Sequence, residues 1–528
     1  MKKYMLKRIL FSIFSLLVVV MVVMGLVYSA IDRRVIFQTD DLWNKKSNND
    51  RITYENVQYQ KYGYVDYYEY GAFLKQKYEA LYGAEYDKNE DFKADRSVLQ
   101  KGWEKAKDNA SVQEFIAMYE EKGAKVEYLE PIKYSSGKTK PGGTAALFAT
   151  IERNPMIRLW DYIKNFITIE TTDMVEDPEL TDRYIRIEKD PYNGFYALVG
   201  SGTLHKYLVY FDNRFPFIHQ NLIRINLGTS YTTYRGAQIT DVITIPRGDQ
   251  IIRPQQYPLM LGTDEYVDMS ADMHSLTYNS GIITDRDMKL FPDRYTVFSE
   301  ERGGLSMLEN SFVIGLIATV LQYVIGLPLG ILMARRKDKL ADKIGNGYII
   351  FIMAVPSLAY IFMFSAIGSK IFGLPYKFAM AEVKTLAYIL PVVSLCLPGI
   401  GGLMKWMRRY MIDQMNSDYV KFARAEGLSE REIYKFHISK NAMIPLIHGI
   451  PGSILGCLTG AIITERAYAV PGVGNLLTTA LNSHDNGVIV ACTVFYTSLS
   501  ILSVILGDLL MAKYDPRISL SESKGGGR

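Results

Sequence analysis

The chain has 528 residues, with 60 Lys and Arg against 56 Asp and Glu, a net charge of +4 and a mean hydropathy of zero. These averages exclude a disordered chain, a collagen-like repeat and a disulfide scaffold. They also argue against a membrane protein, but they are the mean of two unlike parts.

Residues 9–31 form an apolar run preceded by Lys2, Lys3, Lys7 and Arg8. It is longer than the core of a signal peptide, and the reading taken is an uncleaved anchor. Cleavage after Val27-Tyr28-Ser29 would leave five spans instead of six. Residues 32–308 contain no long apolar run. Apolar runs then return at roughly 311–333, 347–368, 385–404, 443–464 and 488–511, each near the ~20 residues a helix needs to cross the hydrocarbon core.

Lys and Arg set the orientation. With the N-terminus in the cytosol, segments 1–8, 334–346, 405–442 and 512–528 are cytosolic and hold about 21 Lys and Arg, against about four in loops 369–384 and 465–487. The long block then lies outside. It carries 35 basic and 42 acidic residues, so it is acidic by seven while the rest is basic by eleven. Cys396, Cys457 and Cys492 all fall inside expected spans, and an external block of this size can hold together by its core alone.

The chain therefore divides into a cytosolic N-terminus with the first span (1–31), an extracellular domain (32–308), spans two to six (309–512) with a cytosolic loop at 405–442, and a cytosolic tail (513–528). The fold class is an α-helical polytopic membrane protein of six transmembrane helices, with a large α+β extracellular insertion between helices 1 and 2.

Within the insertion, Ser111-Val112-Gln113-Glu114 has the pattern of a capping box before an amphipathic helix ending near Tyr119. Pro155 is placed to open a helix carrying Ile157, Trp160, Ile163 and Phe166. Tyr184–Ile187 and Phe195–Leu198 flank Asp190-Pro191-Tyr192-Asn193-Gly194, which predicts two strands and a turn. Residues 54–86 hold ten tyrosines, suited either to a core or to a contact surface for a partner; the core reading is preferred. Gly137-Lys138-Thr139 is not a phosphate-binding loop, because Ile132 stands where the pattern needs Gly. HExxH and GxSxG are both missing, and the sequence offers no nucleotide site, no catalytic group and no metal ligand set.

The most informative stretch is 418–445. Ala423 and Ala425 permit close approach of another surface, Gly427 can end a first helix in a left-handed conformation, and Ser429 with Glu432 can cap a second. Pro445 is expected to begin the next span. This stretch resembles the EAA loop of ABC importer permeases, in the form typical of the OppB/DppB-type transmembrane permease subunit of a bacterial ABC oligopeptide importer. The correspondence runs over Ala423–Arg431 and Asn441–Pro445; Lys421, Phe422 and Lys440 depart from the general pattern. Leu227-Gly228-Thr229-Ser230-Tyr231, Gly326–Gly330, Pro356-Ser357, Glu465 with Pro471-Gly472-Val473-Gly474, Asp508 and Asp515-Pro516-Arg517-Ile518 are similar to family segments in the same order. Most of 32–203 and 246–304 falls outside the resemblance, as in a long-external-loop variant.

The resemblance implies the permease fold of type I importers and ATP-driven uptake of oligopeptides delivered by an extracellular binding protein. The implied partners are a second homologous permease subunit, two ATPase subunits, an extracellular peptide-binding lipoprotein, the peptide and the lipid bilayer, with no nucleic acid. No cofactor is expected on this chain; ATP and Mg belong to the ATPases. Lys421, Ala423, Ala425, Gly427, Leu428, Glu430, Asn441 and Pro445 are the expected ATPase-coupling residues. Glu465, Pro471, Gly472 and Gly474 are the candidate external gate or binding-protein contact, and Asp508 with Lys513 a candidate structural ion pair in place of a proton relay. The implied location is the plasma membrane of a Gram-positive bacterium. An ion-coupled secondary transporter or a surface receptor would be the alternatives, but no internal repeat supports the first and the cytosolic share is small for the second.

Overall fold

The structure, a computed structural model, describes residues 2–514 apart from 31, 39, 212–216, 250–254, 257–266, 269–272, 282, 298–301 and 460. It begins with a long helix, α1 (Lys2–Ala30), whose apolar residues extend all round it, as expected of a helix surrounded by lipid.

The first half of the insertion is a layer of helices on a small sheet. Strand β1 (Val65–Glu69) leads into α2 (Tyr70–Tyr82); α3 (Ala110–Glu121), β2 (Lys125–Leu129) and β3 (Ala146–Glu152) follow. The strand order is β1-β3-β2 and both pairings are antiparallel. Five of the ten tyrosines, Tyr59, Tyr64, Tyr67, Tyr70 and Tyr78, are buried here. Tyr70 meets Phe115 edge-on with ring centroids 5.6 Å apart. The cap of α3 is not Ser111 but Asn109, whose side chain accepts from the N–H groups of Ser111 and Val112. The Ser111 hydroxyl is turned instead to Asp95 and Lys77.

Helix α4 (Pro155–Asn165) starts as expected, with Asn154 as cap and Pro155 in the first turn. Ile157, Trp160 and Ile163 are exposed and only Leu159 is buried. The helix lies against α1 and not inside the insertion, and Leu159 joins an apolar cluster with Val20, Met24, Val490 and Val494.

Strand β4 (Ile167–Ile169) then leaves for the second half of the insertion: β5 (Tyr184–Lys189), β6 (Tyr196–Ser201), β7 (Tyr207–Phe211) and β8 (Ile218–Gln220) form one sheet in sequence order. The β5–β6 hairpin contains the turn expected at 190–194, with Gly194 at φ +77°. Strand β9 (Ile223–Ile225) returns antiparallel to β4, and the Asn226 N–H donates to the Phe166 carbonyl.

The helices from Met307 onward form the membrane part. They are α5 (Met307–Arg335), α6 (Leu340–Ala354), α7 (Ser357–Phe372), α8 (Ile389–Met415), α9 (Asp418–Ala425), α10 (Ser439–His448), α11 (Ile450–Thr459), α12 (Ile462–Tyr468), α13 (Val473–Asn482) and α14 (Asn486–Tyr514). Five helical stretches among the described residues are long and apolar enough to cross a membrane, or six if α6 and α7 form one bent span. The span expected at 347–368 is not straight, because α6 and α7 meet at 107°. Pro356, which lacks an N–H, caps α7, and Val355 before it is extended. Pro445 does not open a helix; it lies inside α10, and the break comes at Gly449, between α10 and α11.

Close helix contact occurs at glycines. A Cβ on Gly326 would stand 2.9 Å from the Leu403 Cβ, and one on Gly330 2.8 Å from the Met407 Cβ, so α5 and α8 pack backbone to backbone. Gly456 has open space around it, Gly460 is outside the described residues, and α5 approaches α11 through Gly315 at Cys457 instead.

Candidate functional site

The loop at 418–445 is a compact unit with two different faces. Helix α9 ends where Gly427 takes φ +83°, a conformation that carries almost no penalty for Gly alone. Ser429 and Glu432 form a complete capping box, and the chain continues through a π-helical stretch, Ile433–Ile438, into α10. Arg424 and Glu430 pair across the glycine at 2.7 Å. Lys421 pairs with Asp418 at 2.8 Å.

The underside of this unit is apolar. Val420, Ala423, Ile433, Ile438 and Ala442 are buried with Ala334, Met407 and Met411 of α5 and α8. Ala423 is therefore not a surface residue; its small side chain lets α9 sit close to its own membrane helices. Leu428 is half-buried beside the same cluster, and Asn441 is half-buried on α10. Lys421, Ala425, Gly427, Glu430 and Pro445 are exposed. Phe422 and Phe436 are 64% and 57% exposed, an unusual position for large aromatics, and neither is in the expected set.

Glu465 is a buried junction. It is 1% exposed. Its carboxylate accepts from the Ser311 hydroxyl at 2.8 Å and from the N–H groups of Ala461 and Asn475, each at 3.1 Å. Ser311 also accepts from the Val473 N–H at 2.9 Å, so α5, α12 and α13 are tied at one point. Gly472 and Gly474 are buried, and a Cβ on Gly472 would press on the Glu465 carboxylate and one on Gly474 on the Ile462 backbone. These three residues are not a surface for a binding protein in this conformation. Only Pro471 of the expected set is exposed, on a cavity of about 980 Å³ that Arg247, Asp249, Asn310, Lys384 and Tyr388 also line.

Asp485 forms a second buried junction that sequence reasoning missed. It is 1% exposed, and one oxygen, Oδ2, accepts from the Ser230 hydroxyl at 2.7 Å and from the N–H groups of Tyr231, Thr232 and Thr233 at 3.2, 3.2 and 3.0 Å. Its other oxygen caps α14 through the Val488 N–H at 3.3 Å. The segment Leu227–Tyr231 thus wraps the start of the last span. Beside it, Asn486 donates to the Tyr64 hydroxyl at 2.7 Å.

Asp508 meets groups from two other helices. It pairs with Arg8 of α1, and His448 stands 3.4 Å away. The side chain of Lys513 lies outside the described residues, as do Asp515–Ile518. Among the described residues, no cluster of His, Cys, Asp and Glu has the grouping of a metal site.

Residues 326–520 match the family described as binding-protein-dependent transport system inner membrane component. The oligopeptide transport system permease protein AmiC of Streptococcus pneumoniae is 36% identical, over all of this chain and all of its own length. The dipeptide transport system permease protein DppB of Lactococcus lactis subsp. cremoris is 29% identical, over 40% of this chain and 70% of its own. A solved inward-facing MetNI methionine ABC transporter aligns with 40% of this chain and 94% of its own, at 12% identity and a TM-score of 0.31.

The bundle of apolar helices and the full-length relative define a membrane permease subunit of a transport system. Within that class the chain belongs to the oligopeptide transport system permease family, as a membrane-spanning subunit of a peptide importer.

Proposed function

We propose that this subunit forms half of the peptide path and is driven by ATPase partners docked on the exposed face of the 418–445 unit. The observation that carries this reading is the two-faced unit around Gly427. Its underside is locked to α5 and α8 by a buried apolar cluster, while Lys421, Phe422, Ala425 and Gly427 lie on the outside. A partner that pushes on that face moves whole membrane helices as rigid pieces. ATP and Mg act on the ATPases, and this chain binds neither.

In this reading the chain crosses the membrane six times, with α6 and α7 as one bent crossing and both termini in the cytosol. Residues 32–308 are outside a Gram-positive cell and face the peptide-binding lipoprotein. A second homologous permease completes the path. The cavity lined by Lys384, Asp249 and Tyr388 belongs to the outer end of that path, since it borders the insertion and the α12–α13 turn.

The test is Gly427→Val, which forces a β-branched residue into a left-handed conformation. The expected result is normal membrane insertion, loss of the ATPases from the complex isolated in mild detergent, and loss of labelled-peptide uptake. Full uptake with both ATPases retained would overturn the assignment of this face.

A further inference from the structure

One surface of the insertion is not used by the transport reading. On α4, Met156, Trp160 and Ile163 are 56%, 67% and 36% exposed, and their spacing of four and three places them on one stripe. The next position on that stripe is Ile167, in the β4–β9 ribbon. There the register sets Ile167 opposite Ile225 and Ile169 opposite Ile223, so all four share one face. Each is about half exposed, at 47–55%.

We propose that α4 and the β4–β9 ribbon lie in the lipid leaflet on the insertion's side, as an interfacial anchor that seats the insertion on the bilayer. Three observations select lipid as the occupant. First, Leu159, next to Trp160, packs in one cluster with Val20, Met24, Val490 and Val494 of the two spans. Val20 is ten residues before the end of α1 and Val494 eight after the start of α14, which is on the order of 12–15 Å along each helix at 1.5 Å per residue. A helix resting on that level has its free apolar side at the depth of acyl chains.

Second, the polar side of α4 is turned to the soluble part. Arg158 donates to the Tyr64 carbonyl at 3.0 Å, and Asp161 stands 3.7 Å from Arg153. The ribbon is sided in the same way: Thr168 and Arg224 form the other face, with Arg224 paired to Asp241 at 3.1 Å. Third, α1, on which α4 rests, also leaves Met21 and Leu26 exposed, at 44% and 60%, as a lipid-facing helix does. An apolar stripe with a Trp, a Lys at its margin (Lys164) and a polar opposite face is the composition of a helix lying in the interface.

The full-length chain, reconstituted in phosphatidylcholine–phosphatidylglycerol vesicles, tests this directly. Subtracting the emission of Trp160→Phe from that of the parent isolates Trp160 from Trp43, Trp103 and Trp406. Lipids brominated near the top of the acyl chain should reduce that component about twofold or more, while external iodide leaves it nearly unchanged. Quenching by iodide and not by brominated lipid would overturn the proposal. Quenching by lipid that disappears once the second permease and the ATPases are co-reconstituted would also overturn it, making this face a subunit interface. For the ribbon, Ile223→Cys carrying a polarity-sensitive fluorophore should emit as in an apolar medium; the three native cysteines are buried. Water-like emission would remove the ribbon from the leaflet.

Discussion

Ser230 and Asp485 are 255 positions apart and share a buried hydrogen bond of 2.7 Å, with the serine hydroxyl as donor. Asp485 gathers this hydroxyl and three successive N–H groups on a single oxygen, while its other oxygen caps the last span. An internal segment of the insertion is therefore bound to the start of the last long helix.

Asp485→Ala removes the acceptor of five donors, the Ser230 hydroxyl and the N–H groups of Tyr231, Thr232, Thr233 and Val488. Hydrogen bonds to a charged group are worth about 1.5–3 kcal/mol each, so a loss of about 3 kcal/mol or more is expected. Thermal unfolding of the full chain in detergent should fall accordingly, and limited proteolysis should open the chain between Gly228 and Ala237. A protease pattern like that of the parent would contradict the structural role given to Asp485.

Gly472→Ala inserts a Cβ against the Glu465 carboxylate. Overpacking at so enclosed a point should cost about 1–3 kcal/mol. Glu465→Ala removes the common acceptor of Ser311, Ala461 and Asn475, and should loosen α12 and α13 from α5 without altering ATPase binding. Crosslinking between cysteines placed in α5 and α13 measures that loosening. Unchanged crosslinking rates would refute it.

Arg8 and Asp508 join the first and last long helices. A double-mutant cycle with Arg8→Gln and Asp508→Asn should give a coupling of about 1–2 kcal/mol, each single variant costing more than the pair. Additive effects on melting temperature would show that the two act independently and would favour a partner for Asp508 in the tail.

In the insertion, burial alone would raise the pKa of Asp95, but hydrogen bonds from Ser111, Asn109 and Tyr78 outweigh it and the net shift is downward. A folded-state value below the unfolded one stabilises the protein above the ordinary carboxylate range, and that stability is lost as pH falls through the folded value. Asp95→Asn should therefore be destabilising at pH 7, and the gap to the parent should narrow below about pH 4. A gap in melting temperature that is the same at both pH values would rule out Asp95 as the source.

The features legible in the sequence were those whose causes are local. Gly427 and the Ser429–Glu432 box are set by neighbours within four positions, and the structure has both. The β5–β6 turn is of the same kind. The features that were not legible depend on distant partners. Asp508 was matched to the nearest basic residues in sequence, whereas Arg8 reaches it from the opposite end of the chain. Ala423 looks like a contact residue by size alone, and only the positions of Met407 and Met411 show that it faces inward. On α4 the period read from the sequence contains Trp160 and Ile163 but takes Ile157 and Phe166 in place of Met156 and Ile167, and a period does not say whether protein or lipid lies against it.

The β4–β9 ribbon has a consequence for how this chain tolerates change. Residues 170–222 depart and return through paired strands, and Asn226 follows Phe166 in space as if nothing lay between them. The membrane helices are held from outside this stretch, by Tyr64 at Asn486, Leu159 at Val490 and Val494, and Ser230 at Asp485. The cost of closing such a loop grows only with the logarithm of its length. Because Ala197, Val199, Tyr207 and Tyr210 share one core with Met273, Leu276, Phe291 and Tyr295, insertions are absorbed in the exposed turns between these strands and not at the core they build.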